Sequence, residues 1–159
     1  MEFSGTVSVA APRQAVWAFV TDFEALGACG PGVESVEPLE GGRARVHARL
    51  GLGFIAARFA IDLAPGTMEP LDRATVTGHG EAPGSHVEGH AEMRLSGPPE
   101  GPTEMAWTAE VELFGTLAGV GARLVESAAG RLVDDAFECI RSRLEASAAD
   151  APAADAGGG

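Results

Sequence analysis

Hydrophobic and polar residues alternate along most of this chain. In EFSGTVSV, residues 2–9, Phe3, Gly5, Val7 and Val9 share one side while Ser4, Thr6 and Ser8 share the other. That is the period of a half-buried strand. The period changes after Pro12. PRQAVWAFVTD places Val16, Phe19 and Val20 on one stripe with Trp17 beside it. A proline suits the first helical turn, where its missing N–H has no partner to lose. Asp22 is placed to cap a second short helix, FEALGAC, which Gly30 and Pro31 end. Strand periodicity then returns in GVESVEPL, and Gly41-Gly42 marks a hairpin turn into RARVHARL. GLGFIAARFAIDL sets Ile55, Ala57, Phe59, Ile61 and Leu63 against Ala56, Arg58, Ala60 and Asp62. DRATVTGHG is the next short strand. SHVEGHAEMRL sets Val87, Gly89, Ala91, Met93 and Leu95 against His86, Glu88, His90, Glu92 and Arg94. After the loop SGPPEGP, TEMAWTAEVELF sets Met105, Trp107, Ala109, Val111 and Leu113 against Glu104, Thr108, Glu110 and Glu112.

One apolar and one polar face per strand is the signature of an antiparallel sheet with one side in water. The apolar side needs a cover. Residues 116–147 supply it: Val120, Leu124, Ala128, Leu132, Val133, Ala136, Phe137, Ile140 and Leu144 recur at helical spacing, and Arg123, Glu126, Arg131, Asp134, Glu138 and Arg141 fill the other side. A helix of about 30 residues is about 45 Å long, enough to cross a curved sheet diagonally. The expected architecture is α+β: a strand, two short helices, six more strands and a long helix, in one domain over residues 1–147. The tail, 148–159, has no apolar periodicity and ends in glycine, and is read as a disordered acidic Ala/Gly segment. A strongly curved sheet wrapped round one helix leaves a gap, and that gap is the candidate site.

Composition narrows the partners. The 159 residues carry a formal net charge of −12, with no Lys/Arg cluster, which disfavours nucleic acid and electrostatic adhesion to an anionic membrane. Cys29 and Cys139 form no CxxC pair and have no histidine at a zinc spacing, so they read as two reduced thiols. No basic segment followed by an apolar run opens the chain, and no stretch is apolar and long enough to span a bilayer. A cytoplasmic location is the expectation.

Candidate chemistry is sparse. His86 and His90 lie on the polar face about 13 Å apart along their strand, too far to share a metal. His79 stands between glycines at a strand end, and His47 falls on the polar side. Asp134 and Asp135 point in different directions on their helix, Glu110 and Glu112 share the outer face, and Asp22 is explained by capping. No nucleophile triad, P-loop or dinucleotide-binding pattern occurs. GLGFIA lacks the third glycine of such a loop, and Gly51 and Gly53 read as a turn or bulge. No catalytic residue and no metal ligand is assigned. The apolar inner face is the stronger candidate: Phe59, Ile61, Met93, Trp107, Val111, Leu124, Leu132 and Phe137 are expected to line a cavity under the helix, with Gly89 and Ala91 withholding volume. Gly115, Gly119 and Gly121, poor helix formers at the head of the long helix, are candidates for a gate; close packing is the equal alternative.

The segment APRQAVWAFVTDFEALGACGPGVESVE, with Pro12, Val16, Trp17, Asp22, Cys29, Pro31 and Gly32, resembles the opening of the carbon monoxide dehydrogenase CoxG family. GTLAGVGARLVESAAGRLVDDAFECI resembles that family's final helix, so the likeness covers about residues 2–145. The wider likeness is to the START and birch-pollen-allergen (SRPBCC) superfamily, whose helix-grip fold wraps a curved seven-stranded antiparallel sheet round a long C-terminal helix. The resemblance implies a non-enzymatic accessory protein of a molybdenum hydroxylase. It would bind a hydrophobic molecule such as a quinone, require no cofactor, and aid membrane recruitment or electron transfer. An enzyme of the same fold, such as a polyketide cyclase or hydrolase, and an assembly chaperone for the hydroxylase are the alternatives. Several family members carry a C-terminal extension able to anchor to a membrane. The small acidic tail here departs from that, which leaves Leu52, Phe54 and Ile55 in GLGFIAA as the candidates for peripheral membrane contact.

Overall fold

The alternation of residues is realised as one sheet. A computed structural model of the chain describes residues 1–52 and 55–150. Its strands are β1 (Glu2–Val9), β2 (Val33–Pro38), β3 (Ala44–Leu52), β4 (Ile55–Glu69), β5 (Arg73–Ala82), β6 (Ser85–Ser96) and β7 (Thr103–Gly115). They form a seven-stranded antiparallel sheet in the order β1-β7-β6-β5-β4-β3-β2. Consecutive strands from β2 to β7 pair as neighbours, and the first strand closes against the last. The register stacks the predicted apolar sets: Trp107 faces Gly5 on one side and Met93 on the other, Ala91 lies between Ala109 and Val76, and Ile61 lies between Val46 and Gly80. β4 continues six residues past Leu63, where the short sequence pattern stopped. A register shift between Pro65 and Met68 carries the strand past the proline, and the Thr67 N–H donates to Thr75 Oγ1 across it.

Two short helices, α1 (Arg13–Val20) and α2 (Phe23–Ala28), follow β1 as expected, with the Ala25 N–H donating to Asp22 Oδ1 at 3.3 Å. The Glu40–Gly42 turn joins β2 to β3, with Gly41 and Gly42 at positive φ, which glycine adopts without a Cβ clash. The long helix α3 runs over Ala122–Asp150. It starts later than the apolar pattern suggests, because Thr116–Gly119 forms a separate 3₁₀ turn and Gly121 has φ 106°. Gly115, Gly119 and Gly121 therefore precede the α-helix rather than open it. Gly115, at φ 77°, packs tightly against the Gly84 carbonyl, whereas Gly119 and Gly121 face open space. The helix also continues three residues beyond 147; the rest of the expected tail, 151–159, lies outside the described residues.

A buried core cluster sits at one end. Val9, Ala11, Val16, Val20, Cys29, Leu95, Met105, Ile140 and Leu144 form a buried cluster that joins β1, α1, the sheet and the C-terminal half of α3. Buried Thr103 donates its hydroxyl to the Ala11 carbonyl at 2.8 Å, which satisfies that polar group beside the apolar cluster. Cys29 and Cys139 correct the sequence reading: they are joined in a disulfide, with Cα atoms 5.5 Å apart. The C-cap of α2 rests on α3, bringing together two residues 110 positions apart. Neither cysteine has a local signal of that meeting, so only the tertiary packing reveals it.

Candidate functional site

A cavity of about 310 Å³ adjoins this packed end, between the concave face of the sheet and α3. Its floor is Ala74 and Val76 on β5, Ala91 and Met93 on β6, and Met105, Trp107 and Ala109 on β7. Its roof is Val133, Ala136, Phe137 and Ile140, spaced i, i+3, i+4, i+7 along one stripe of α3. Val20, Phe23 and Leu26 from α1 and α2 form the side wall. The space exists because the register lays small residues across the middle strands. Ala91 faces Ala109, Gly89 faces Gly78, and Ala74 faces Met93. The Trp107 indole lies over Gly5, where a Cβ would come within 2.9 Å of Nε1, and its ring centroid is 5.5 Å from that of Phe137.

The lining is apolar in chemistry as well as composition. Thr75 and Glu92 border the cavity, but their polar groups are engaged on the other side of the sheet: Thr75 Oγ1 accepts from Thr67, and the Glu92 carboxylate accepts from Arg73 at 2.5 Å. Such a wall solvates neutral hydrocarbon and disfavours charge.

Of the eight residues expected to line the cavity, Met93, Trp107 and Phe137 do so. Phe59 is buried beside a different hollow, at the notch where the β3–β4 hairpin extends past the β5–β6 turn. Val111 borders a third, with Met1, Leu117 and Val125. Ile61 on β4 and Leu124 and Leu132 on α3 are half-buried and border none of these spaces. Val20, Phe23 and Leu26 of the side wall were not among the eight, nor were Ala136 and Ile140, although these last two lie on the apolar stripe read for the helix. Leu52 and Ile55 pair at the tip of the β3–β4 hairpin, and Phe54 lies outside the described residues. Among the described residues, no helix is long and apolar enough to cross a membrane, and no three His, Cys, Asp or Glu side chains converge as a metal-binding group.

The convex face of the sheet carries its ion pairs and histidines. Arg45 donates to Asp62 at 2.6 Å, and this hydrogen bond holds the Asp62 carboxyl below its ordinary value. His86 stacks on Phe114 with centroids 4.3 Å apart. His90 lies 3.4 Å from Glu110, and His47 lies 3.7 Å from Glu37. None of the four histidines borders the cavity. The hydrogen bond to Glu81 at 3.3 Å, joined by Glu88 at 3.4 Å, raises His79 above its ordinary value. A raised folded-state value means that the stabilisation is complete below the unfolded value of about 6.5 and is lost as pH rises through the folded value. A histidine NMR titration is expected to place His79 above 6.5, and Glu81→Gln is expected to lower it. A His79 midpoint unmoved by that substitution would rule out the ion pair in solution.

The profile of the carbon monoxide dehydrogenase CoxG family matches residues 5–145. The chain belongs to that family. A comparison with curated proteins finds no match. Among solved structures, the chain is similar to a conserved protein from Geobacillus kaustophilus, at 20% identity and TM-score 0.83, covering 92% of this chain and 97% of that one. It is similar to the Zhui aromatase/cyclase from Streptomyces sp. R1128, at 19% identity and TM-score 0.67, covering 92% and 94%. It is also similar to a START superfamily protein from Mycobacterium smegmatis, at 19% identity and TM-score 0.65, covering 91% and 97%. At these identities the likeness establishes the fold, the START-like helix grip. The order of elements and the CoxG resemblance read from the chain are both borne out.

Proposed function

We propose that this CoxG-family chain is a non-catalytic accessory protein of a carbon monoxide dehydrogenase-type molybdenum hydroxylase. It holds a neutral hydrophobic molecule, such as a quinone, between sheet and helix, and aids the hydroxylase's recruitment to the membrane or its electron transfer. The apolar cavity between β5–β7 and α3 carries this reading. An aromatic ring group buries about 200 Å². At about 25 cal/mol per Å², that contributes about 5 kcal/mol before the costs of association. Micromolar affinity needs about 8 kcal/mol, so the ring alone is not enough. A ligand with a tail gains the rest from the half-buried apolar residues beyond the cavity, among them Ile61, Leu63 and Leu132.

A cyclase of the same fold needs an acid or base facing its substrate. The cavity walls described above offer aliphatic and aromatic side chains instead, which favours the carrier.

The test is native mass spectrometry of the protein purified from its own host, with organic extraction of what co-purifies. The expected result is a stoichiometric isoprenoid quinone, lost in Phe137→Glu. An empty protein that also refuses added menadione overturns the carrier reading. Capture of the apo-hydroxylase by such an empty protein would establish assembly chaperoning in its place.

A further inference from the structure

The disulfide joins two walls of the cavity. Cys29 is the C-cap of α2, whose Phe23 and Leu26 form the side wall. Cys139 sits in α3 between the roof residues Phe137 and Ile140. α2 has only six residues, far below the length at which a helix is stable alone. Its position therefore depends on what it is tied to: the burial of Phe23, the seat of Gly27 against Val46 and Val36, and the covalent bond to α3. The bond is the one member of that set that a chemical signal can remove.

We propose that the Cys29–Cys139 disulfide is a thiol-controlled latch on the α2 wall, whose reduction lets α2 swing away from the cavity. The inference rests on the carrier reading for its use, since an opened wall speeds entry and exit of the hydrophobic ligand. The reductant is a dithiol. Cys29 is buried and Cys139 half-buried, so exchange begins at the Cys139 sulfur. A dithiol thiolate attacks that sulfur, the S–S bond breaks, and Cys29 leaves as a thiolate that takes a proton from water. The second thiol of the reductant, deprotonated, attacks the mixed disulfide and releases Cys139, which is protonated in turn. The protein gains two electrons and two protons, and the dithiol closes to its own disulfide.

Hydrogen exchange on the full chain, with and without dithiothreitol, tests the latch. Amides of α2 are expected to exchange about tenfold faster after reduction while those of β6 and β7 keep their protection, the pattern of local rather than global opening. The Cys29→Ser/Cys139→Ser double variant is expected to match the reduced protein and to ignore dithiothreitol. Unchanged α2 exchange overturns the latch, and so does an equal rise in β6 and β7, which marks a global staple. Menadione binding by the disulfide form and by the thiol-free double variant, which stands for the reduced state because free thiols add to menadione, is followed by tryptophan fluorescence and separates this from the carrier reading. Binding with equal release rates in both redox states overturns the latch alone. Absence of binding in both states overturns the carrier reading, while α2 exchange still decides the latch.

Discussion

Replacing Ala91 with tryptophan is expected to abolish binding of a hydrophobic ligand and to leave the protein folded. Ala91 lies in the middle of the cavity floor, between Ala109 on β7 and Val76 on β5. A tryptophan there brings about 200 Å² of surface into the 310 Å³ space that a ligand ring needs. Overpacking a filled core costs about 1–3 kcal/mol, but at Ala91 the space is already present, so the stability change falls at or below the low end of that range. Affinity for menadione is expected to drop at least about 100-fold, equivalent to about 2.8 kcal/mol of binding free energy. Ala106→Trp, on the exposed side of β7, is the matching control and is expected to bind as the parent does. Isothermal titration calorimetry on both variants reads the effect. Undiminished binding by Ala91→Trp would move the ligand out of this cavity, to the hollow beside Phe59 or the one beside Val111.

The largest loss of stability is expected from Ile140→Ala. Ile140 is 3% exposed and belongs to the packed cluster while also touching the cavity. Removing its branched side chain leaves a void that joins the existing one. Substitutions of this kind cost about 2–5 kcal/mol. For a domain of this size, that is about 10 °C in Tm. Leu132→Ala, at a half-buried position outside the packed cluster, is expected to cost well under half as much. Urea denaturation of both, with an unchanged m-value, makes the comparison. Equal losses would show that packing is uniform along α3.

The contrast between those two residues shows how far the chain could be read in advance. Ile140 and Leu132 both fall on the apolar stripe of the helix, and the stripe correctly places both toward the sheet. Which of them joins the buried cluster and which stays half-buried outside it depends on the tilt and distance of α3 over the sheet. Met93, Trp107 and Phe137 were legible as cavity residues because strand alternation and helical spacing fix the face each one takes. Phe59 and Val111 occupy the same face of the sheet, yet they border other hollows because they lie farther along it. Phe23 and Leu26 were not singled out as lining residues, because a six-residue helix has too few turns for a periodic pattern to say which side chains face the cavity.

By itself, the sequence determined the seven strands, their inward and outward faces, the two short helices, the long helix and the CoxG family. It could place the elements because side-chain alternation, turn residues and caps act over a few neighbouring positions, and the family because two long segments resemble CoxG. The tertiary structure alone decided where the cavity sits, that the long helix begins only after Gly121, and that Cys29 bonds Cys139. Those outcomes depend on contacts between residues far apart in the chain, which local spacing does not encode.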